Sequence, residues 1–179
     1  MKFLISTIFA AIIAAMAASA APSYSNMSVT ELQFSLKELV QPLDIVHIGD
    51  DGVLRVFNTV DFTVQHAVPL TAEQATEFAG NVDDTTSAPF VNVNGYNVPS
   101  TQLLSPPEPI VTKLKNAIAS TKAEMANLSQ PAPAGELAGR PTLPCNSYLC
   151  VFTATCINNC CLYCVVASGS LGKCIAPYC

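Results

Sequence analysis

Eight cysteines lie within the last 35 residues of the chain, and no cysteine precedes Cys145. Their order is C-x4-C-x5-C-x3-CC-x2-C-x9-C-x4-C. A segment shorter than about 40 residues usually needs covalent or metal staples, because it cannot bury enough apolar surface. In an exported chain, an even set of clustered cysteines indicates disulfides. We therefore expect four bridges among these residues: Cys145, Cys150, Cys156, Cys160, Cys161, Cys164, Cys174 and Cys179.

The amino terminus predicts export. Lys2 precedes an apolar run from Phe3 to Ala18, and the run ends in the small residues Ala18-Ser19-Ala20. This pattern is typical of a secretory signal peptide at residues 1–20, with cleavage after Ala20. The run is short for a bilayer span, which needs about 20 apolar residues. We expect a soluble, extracellular product without a membrane span.

The charges are unevenly placed. All 13 acidic residues lie between Glu31 and Glu136, whereas the segment from Pro141 to Cys179 carries only Lys173. A chain without a basic stripe is a poor match for nucleic acid, and the same absence disfavours an anionic membrane surface. Two N-x-S/T sequons make Asn26 and Asn127 candidates for N-glycosylation.

Residues 21–128 read as a small acidic α+β body. Patterns of the capping-box type begin at Thr30, with Gln33, and at Thr71, with Gln74, and predict two short helices. Runs rich in β-branched residues predict strands at 45–48, 53–57 and 61–68, of which the first two form a hairpin around Gly49-Asp50-Asp51-Gly52.

Two further elements complete the body. Residues 90–98, centred on Asn94-Gly95, predict a second hairpin. Apolar residues recur at steps of three and four from Val111 to Leu128, which predicts a long helix with one packing face. Residues 129–144 are rich in Pro, Ala and Gly and predict an extended linker.

The cysteine-rich domain at 145–179 has two interpretations. Its inner six cysteines resemble the framework of inhibitor cystine-knot peptides, the knottins, with the adjacent pair Cys160-Cys161 in the middle. The β-prone runs at 162–166 and 173–175 fit the hairpin of that framework. The alternative is helical, because cysteines four residues apart would share a helix face. The knottin resemblance implies the bridges Cys150–Cys161, Cys156–Cys164 and Cys160–Cys174, with Cys145–Cys179 as an outer clasp.

Other cysteine chemistry is disfavoured. Cys161-Leu162-Tyr163-Cys164 has redox C-x-x-C spacing but lacks a βαβ context, so we interpret it as structural. Secretion favours oxidation and no histidine lies near the thiols, so we predict no metal and no cofactor.

The sequence offers no recognisable catalytic set. The two histidines, His47 and His66, both fall in predicted strands, and Asp50-Asp51 is better explained as a turn. Nucleophile-elbow, zincin and phosphate-loop motifs are absent from the sequence. We therefore predict that the protein is not an enzyme.

The export signal, the thiol-free body and the cysteine-dense end together resemble the small secreted cysteine-rich proteins of filamentous fungi. That class includes candidate effectors and toxin-like proteins. The class is functionally mixed, and our leading hypothesis is a non-enzymatic protein whose tail presents rigid loops, at 158–159 and 168–172, to an extracellular protein or glycan. One alternative makes residues 21–140 a propeptide processed at Arg140. The other is a surface-active or cell-wall structural protein.

Overall fold

The computed structural model describes residues 24–82, 90–128, 144–167 and 170–177. The expected signal peptide with Ala20, the linker with Arg140, and Cys179 lie outside the described residues. The helices are α1 (Val29–Lys37), α2 (Ala72–Val82), α3 (Ser100–Leu103), α4 (Glu108–Leu128) and α5 (Thr153–Ile157). The strands are β1 (Asp44–Ile48), β2 (Val53–Asn58), β3 (Val64–Pro69), β4 (Cys161–Ala167) and β5 (Lys173–Pro177). The predicted α+β class is confirmed.

These strands form one mixed sheet in the order β3-β2-β1-β4-β5. The predicted hairpin of β1 and β2 is confirmed, and Gly52 supplies the positive φ (74°) of its turn. The predicted third strand pairs antiparallel with β2, and β4 and β5 form the predicted hairpin of the tail. The junction between the two hairpins is parallel, with Val46 opposite Val165 and Ile48 opposite Ala167.

The sequence predicts a separate stapled unit at 145–179, but the described part of that segment supplies two strands to the sheet of the body. The reason is the apolar run of β4, which is buried along its whole length. β1 is buried in the same way. Strands covered on both faces are typical of a sheet centre, and the pairing of β1 with β4 places both strands there.

Each face of the sheet has its own hydrophobic cluster. On one face, α1 and α2 pack on Val46, Ile48, Val165 and Ala167. On the other face, α4 and the tail cysteines pack on Ile45, Phe57 and Val166. The predicted stripe of α4 is confirmed as a packing face, with Leu114, Ala117, Ile118 and Thr121 buried. The disulfides therefore belong to the same layer as α4.

Of the two predicted helix caps, one is confirmed and the other is displaced. The capping box at Thr71 and Gln74 is present, with reciprocal hydrogen bonds of 3.0 and 3.2 Å. The first helix is instead capped at Ser28, because the Glu31 carboxylate and not Gln33 reaches back to the cap.

The predicted hairpin at 90–98 is wrong, since this segment forms a 3-10 turn at Gly95–Asn97. The Gly95 amide donates to the Leu70 carbonyl at 2.8 Å, and a Cβ on Gly95 would lie only 2.3 Å from the Gly52 oxygen. This close backbone approach competes with strand pairing.

The helical alternative for the tail is also wrong. A helical tail would place Cys156, Cys160 and Cys164 on one face. Only Cys156 lies in the short helix α5, since Cys160 has a positive φ (59°) and Cys164 lies in β4.

Candidate functional site

Three disulfides join described residues of the tail. They are Cys145–Cys161, Cys150–Cys164 and Cys156–Cys174, with Cα–Cα distances of 5.8, 5.8 and 5.3 Å. Cys160 is also disulfide-bonded, and none of the described cysteines is free. None of these three pairs is one that the knottin resemblance implied. The three bridges do follow the knottin order, in which the first cysteine pairs with the fourth, the second with the fifth and the third with the sixth. The six cysteines that take part, however, include Cys145 and omit Cys160.

The pairing follows from the sheet. Cys164 and Cys174 face each other across β4 and β5, and each bridges to a cysteine of the segment that packs over this hairpin. The sulfurs of Cys150, Cys156 and Cys174 lie within 4.8 Å of one another and are buried. All three are used in bridges, so in the oxidised protein they offer no thiolate to a metal. Cys161 and Cys164 belong to different bridges, which fits the structural interpretation of the C-x-x-C spacing.

Among the described residues, three hydrogen bonds besides the strand pairing fasten the tail to the body. The Tyr163 hydroxyl donates to the Gln33 carbonyl of α1 at 3.2 Å, and burial raises the pKa of this phenol. The Ala154 amide donates to the Pro42 carbonyl at 2.8 Å. The Gly172 amide donates to the Thr121 hydroxyl of α4 at 2.9 Å. The tail thus contacts both layers that cover the sheet.

The two tail loops predicted to contact a partner, 158–159 and 168–172, differ in exposure. Asn158 and Asn159 are exposed at the end of α5, as expected. Residues 168 and 169 lie outside the described residues, and Gly172 is buried. A Cβ on Gly172 would lie 2.1 Å from the Cys150 carbonyl oxygen, so this end of the second loop is a packing contact.

A groove of about 490 Å³ runs between α1 and the tail. We call it the α1–tail groove. The described residues that line it are uncharged and come from four elements. From the body they are Thr30, Gln33, Phe34 and Asn81. From the tail they are Pro144, Cys145, Asn146 and Ile175. Neither the body nor the tail alone would form this groove.

Two side chains of the α1–tail groove stand out. Phe34 lines the groove and is 50% exposed, so the ring is accessible to a ligand. Gln33 is only 6% exposed, and its side-chain amide makes no hydrogen bond to another described residue. The side chain lines the groove, so its amide presents hydrogen-bonding capacity there. A smaller pocket of about 150 Å³ follows between α1 and the tail, next to Lys37, Val40 and Ile157.

The predicted turn at Asp50-Asp51 belongs to a polar cluster at the end of the first hairpin. Arg55 is fully buried, and its guanidinium donates to both carboxylate oxygens of Asp51, at 3.0 and 2.7 Å. It also donates to the carbonyls of Gln102 and Leu103 at 3.0 and 2.9 Å. Asp50 pairs with Lys113 of α4. Sequence reasoning missed this site, although a lone arginine inside an apolar strand was its signal.

The histidines do not form an exposed acid–base set. His47 is in a strand as predicted and is 1% exposed, and neither ring nitrogen has a hydrogen-bond partner among the described residues. Burial, aided by the positive charge of Arg55, lowers the pKa of His47 to about 4. His66 is exposed on the edge strand β3, opposite Val56. A substrate in solvent would therefore meet only His66.

The glycosylation candidates are both at the surface. Asn26 is exposed in a 3-10 turn, and the Ser28 of its sequon caps α1 through Glu31. Asn127 is exposed near the end of α4, and Ser129 of its sequon lies outside the described residues.

The fold and the disulfides define a small, disulfide-rich α+β protein. No family model, curated protein or solved structure matches the chain. Within the described ranges, no helix has the length and hydropathy needed to cross a membrane.

Proposed function

We propose that this chain is a secreted, non-enzymatic binding protein. It resembles the small secreted cysteine-rich proteins that include candidate effectors, and its body and tail act as one unit. The observation that carries the proposal is the α1–tail groove, to which α1 and α2 contribute one wall and Pro144 to Asn146 and Ile175 contribute the other. A surface that needs both segments favours function of the intact chain.

Secretion is supported by the export pattern and by the disulfides. Bridges of this density persist in oxidising compartments such as the extracellular space. They also hold the tail wall of the groove in place before a ligand arrives, which reduces the ordering cost of binding. The non-enzymatic assignment is supported by the burial of His47 and by the use of Asp51 as the partner of Arg55.

The propeptide alternative fits the fold less well. Removal of residues 21–140 would take away β1 and leave β4 as an uncovered apolar edge strand. Such edges favour aggregation. It would also remove α1, and with it Thr30, Gln33 and Phe34 of the groove.

The first test is the intact mass of the protein secreted from a eukaryotic host. We expect a species that begins near Ala21, contains both the body and the tail, and reacts with no thiol reagent before reduction. A product that begins near Pro141 would contradict the proposal.

The second test is binding to arrays of extracellular proteins and glycans. We expect a ligand whose binding is lost with Phe34→Ala and kept with Tyr96→Ala. Tyr96 is a suitable control because it is a similarly exposed aromatic residue (45%) outside the groove. An array on which the wild-type protein binds nothing would count against a binding function.

A further inference from the structure

We propose that the α1–tail groove binds a neutral carbohydrate chain. The inference rests on the proposed binding function and names the ligand class of the same site. The volume of the α1–tail groove, about 490 Å³, lies within the range of small-ligand sites, about 300–1,000 Å³.

The first argument is charge. The described residues that line the groove carry no formal charge. A phosphate, sulfate or carboxylate would lose hydration there without gaining an opposite charge, and such unpaired burial is costly. The described part of the lining therefore favours an uncharged ligand.

The second argument is the hydrogen-bonding inventory. Gln33, Asn81 and Asn146 offer amides that both donate and accept, and Thr30 offers a hydroxyl that does the same. Sugar hydroxyl groups also donate and accept, so they match such a surface at many orientations. Gln33 lines the groove, and its amide makes no hydrogen bond to another described residue. A sugar hydroxyl would hydrogen-bond to this amide in place of water.

The third argument is the exposed ring of Phe34. The face of an aromatic ring is a flat apolar surface with partial negative charge. It suits the polarised C–H groups on one face of a pyranose ring. Phe34 follows Gln33 directly in α1, so a sugar against the ring would lie beside the amide.

A peptide is the competing ligand. The most general way to hold an extended peptide is to add it to a free strand edge. The edge strand at the groove is β5, and the start of its outer side already meets the segment before α5. Lys173 bridges to Leu149, and the Cys174 amide donates to the Tyr148 carbonyl at 3.0 Å. This occupied edge favours the carbohydrate.

The test is calorimetric titration of the full secreted protein with oligosaccharides of six sugar units. The neutral probes are β-1,3-glucan, β-1,4-glucan, β-1,4-linked N-acetylglucosamine and mannan oligomers. The charged probes are oligogalacturonate and a heparin fragment. We expect at least one neutral probe to bind, and the charged probes to bind at least about tenfold more weakly, as expected for charge that is desolvated without a partner.

Variants assign the binding to the groove. Phe34→Ala and Gln33→Leu should each weaken it by about tenfold or more, as for central residues of a small site, while Tyr96→Ala should leave it unchanged. Gln33→Leu keeps the backbone carbonyl that accepts from Tyr163, so its melting temperature should stay close to that of the wild type.

The outcomes are separable. Failure of every neutral probe, or equal affinity in the wild type and both groove variants, would overturn the carbohydrate assignment. If array peptides bind in a Phe34-dependent manner and saccharides do not, the carbohydrate assignment is wrong and the proposed binding function stands. If neither class binds, both are wrong.

Discussion

At the scale of single residues, the sheet alters the chemistry of His47 and Arg55. Both lie in central strands, where they are cross-strand partners. The Asp51 carboxylate and two backbone carbonyls surround the Arg55 guanidinium and accept its hydrogen bonds. His47 packs edge-on against Phe57, with ring centroids 6.0 Å apart, and stays neutral because a charged imidazole would be buried without a partner.

His47 should make the protein less stable in mild acid. Its pKa is about 4 in the folded protein and 6.5 in the unfolded chain. Between these values only the unfolded chain takes up the proton, so stability falls as pH drops from 6.5 to 4 and the loss levels off below 4. The full loss is about 3 kcal/mol. Urea unfolding with intact disulfides, at several pH values across this window, measures it.

The matched variants are His47→Leu and His66→Gln. The His47 variant should lose this part of the acid sensitivity, while the exposed His66 variant should keep it. The neighbouring groups that also carry charge, Asp50, Asp51, Arg55 and Lys113, are the same in both variants. Parallel pH profiles for the wild type and His47→Leu would contradict the assignment.

The two aspartates of the turn, Asp50 and Asp51, should contribute very differently to the free energy of unfolding. Asp51→Ala leaves the buried Arg55 without its carboxylate, and we expect a loss of about 3 kcal/mol in the free energy of unfolding. Asp50→Ala breaks a half-exposed pair with Lys113, and we expect a loss below about 1 kcal/mol. Chemical denaturation of both variants checks this, and equal losses would show that the Arg55 pair is not structural.

At the scale of elements, α4 and the tail are joined by one buried hydrogen bond. Thr121 accepts from the Gly172 amide and donates to the Ala117 carbonyl at 2.8 Å. This contact explains why a threonine occupies the apolar stripe of α4. It was predicted as part of the packing face, but its partner lies 51 residues away and has no local sequence signal.

Replacement of this threonine should be costly although the new side chain has nearly the same shape. Thr121→Val leaves the buried Gly172 amide without an acceptor, which costs about 1–3 kcal/mol. Thr112→Val, at an exposed position of the same helix, should change the free energy of unfolding by less than about 0.5 kcal/mol. Similar effects of the two changes in a denaturation experiment would argue against the anchoring role.

The bridge pattern of the tail is a second prediction at this scale. Proteolysis of the oxidised protein followed by mass spectrometry should recover peptides joined by Cys145–Cys161, Cys150–Cys164 and Cys156–Cys174. Peptides joined by Cys150–Cys161 or Cys156–Cys164 would support the knottin pairing instead and would be incompatible with the packing of β4 described above.

At the scale of the whole molecule, the sequence was informative about elements and uninformative about their assembly. The hairpins of β1 with β2 and of β4 with β5 carry local turn and β-propensity signals, and both were predicted. The parallel pairing of Val46 with Val165 joins distant segments and leaves no local pattern. The same long-range step determines which cysteines meet and brings α1 beside the tail. The groove was therefore unpredictable, even though the exposed Phe34 belongs to a helix that was predicted.

This assembly has a direct test, because all eight cysteines lie in the tail and no disulfide can join tail to body within one chain. A protease site placed between residues 131 and 140 allows the folded, oxidised protein to be cut into the two pieces. We expect the cut pieces to co-elute in size-exclusion chromatography and to give a 1:1 complex in native mass spectrometry at micromolar concentration, held by the pairing of β1 with β4. Separation into a folded tail and a free body under these conditions would contradict the single shared sheet.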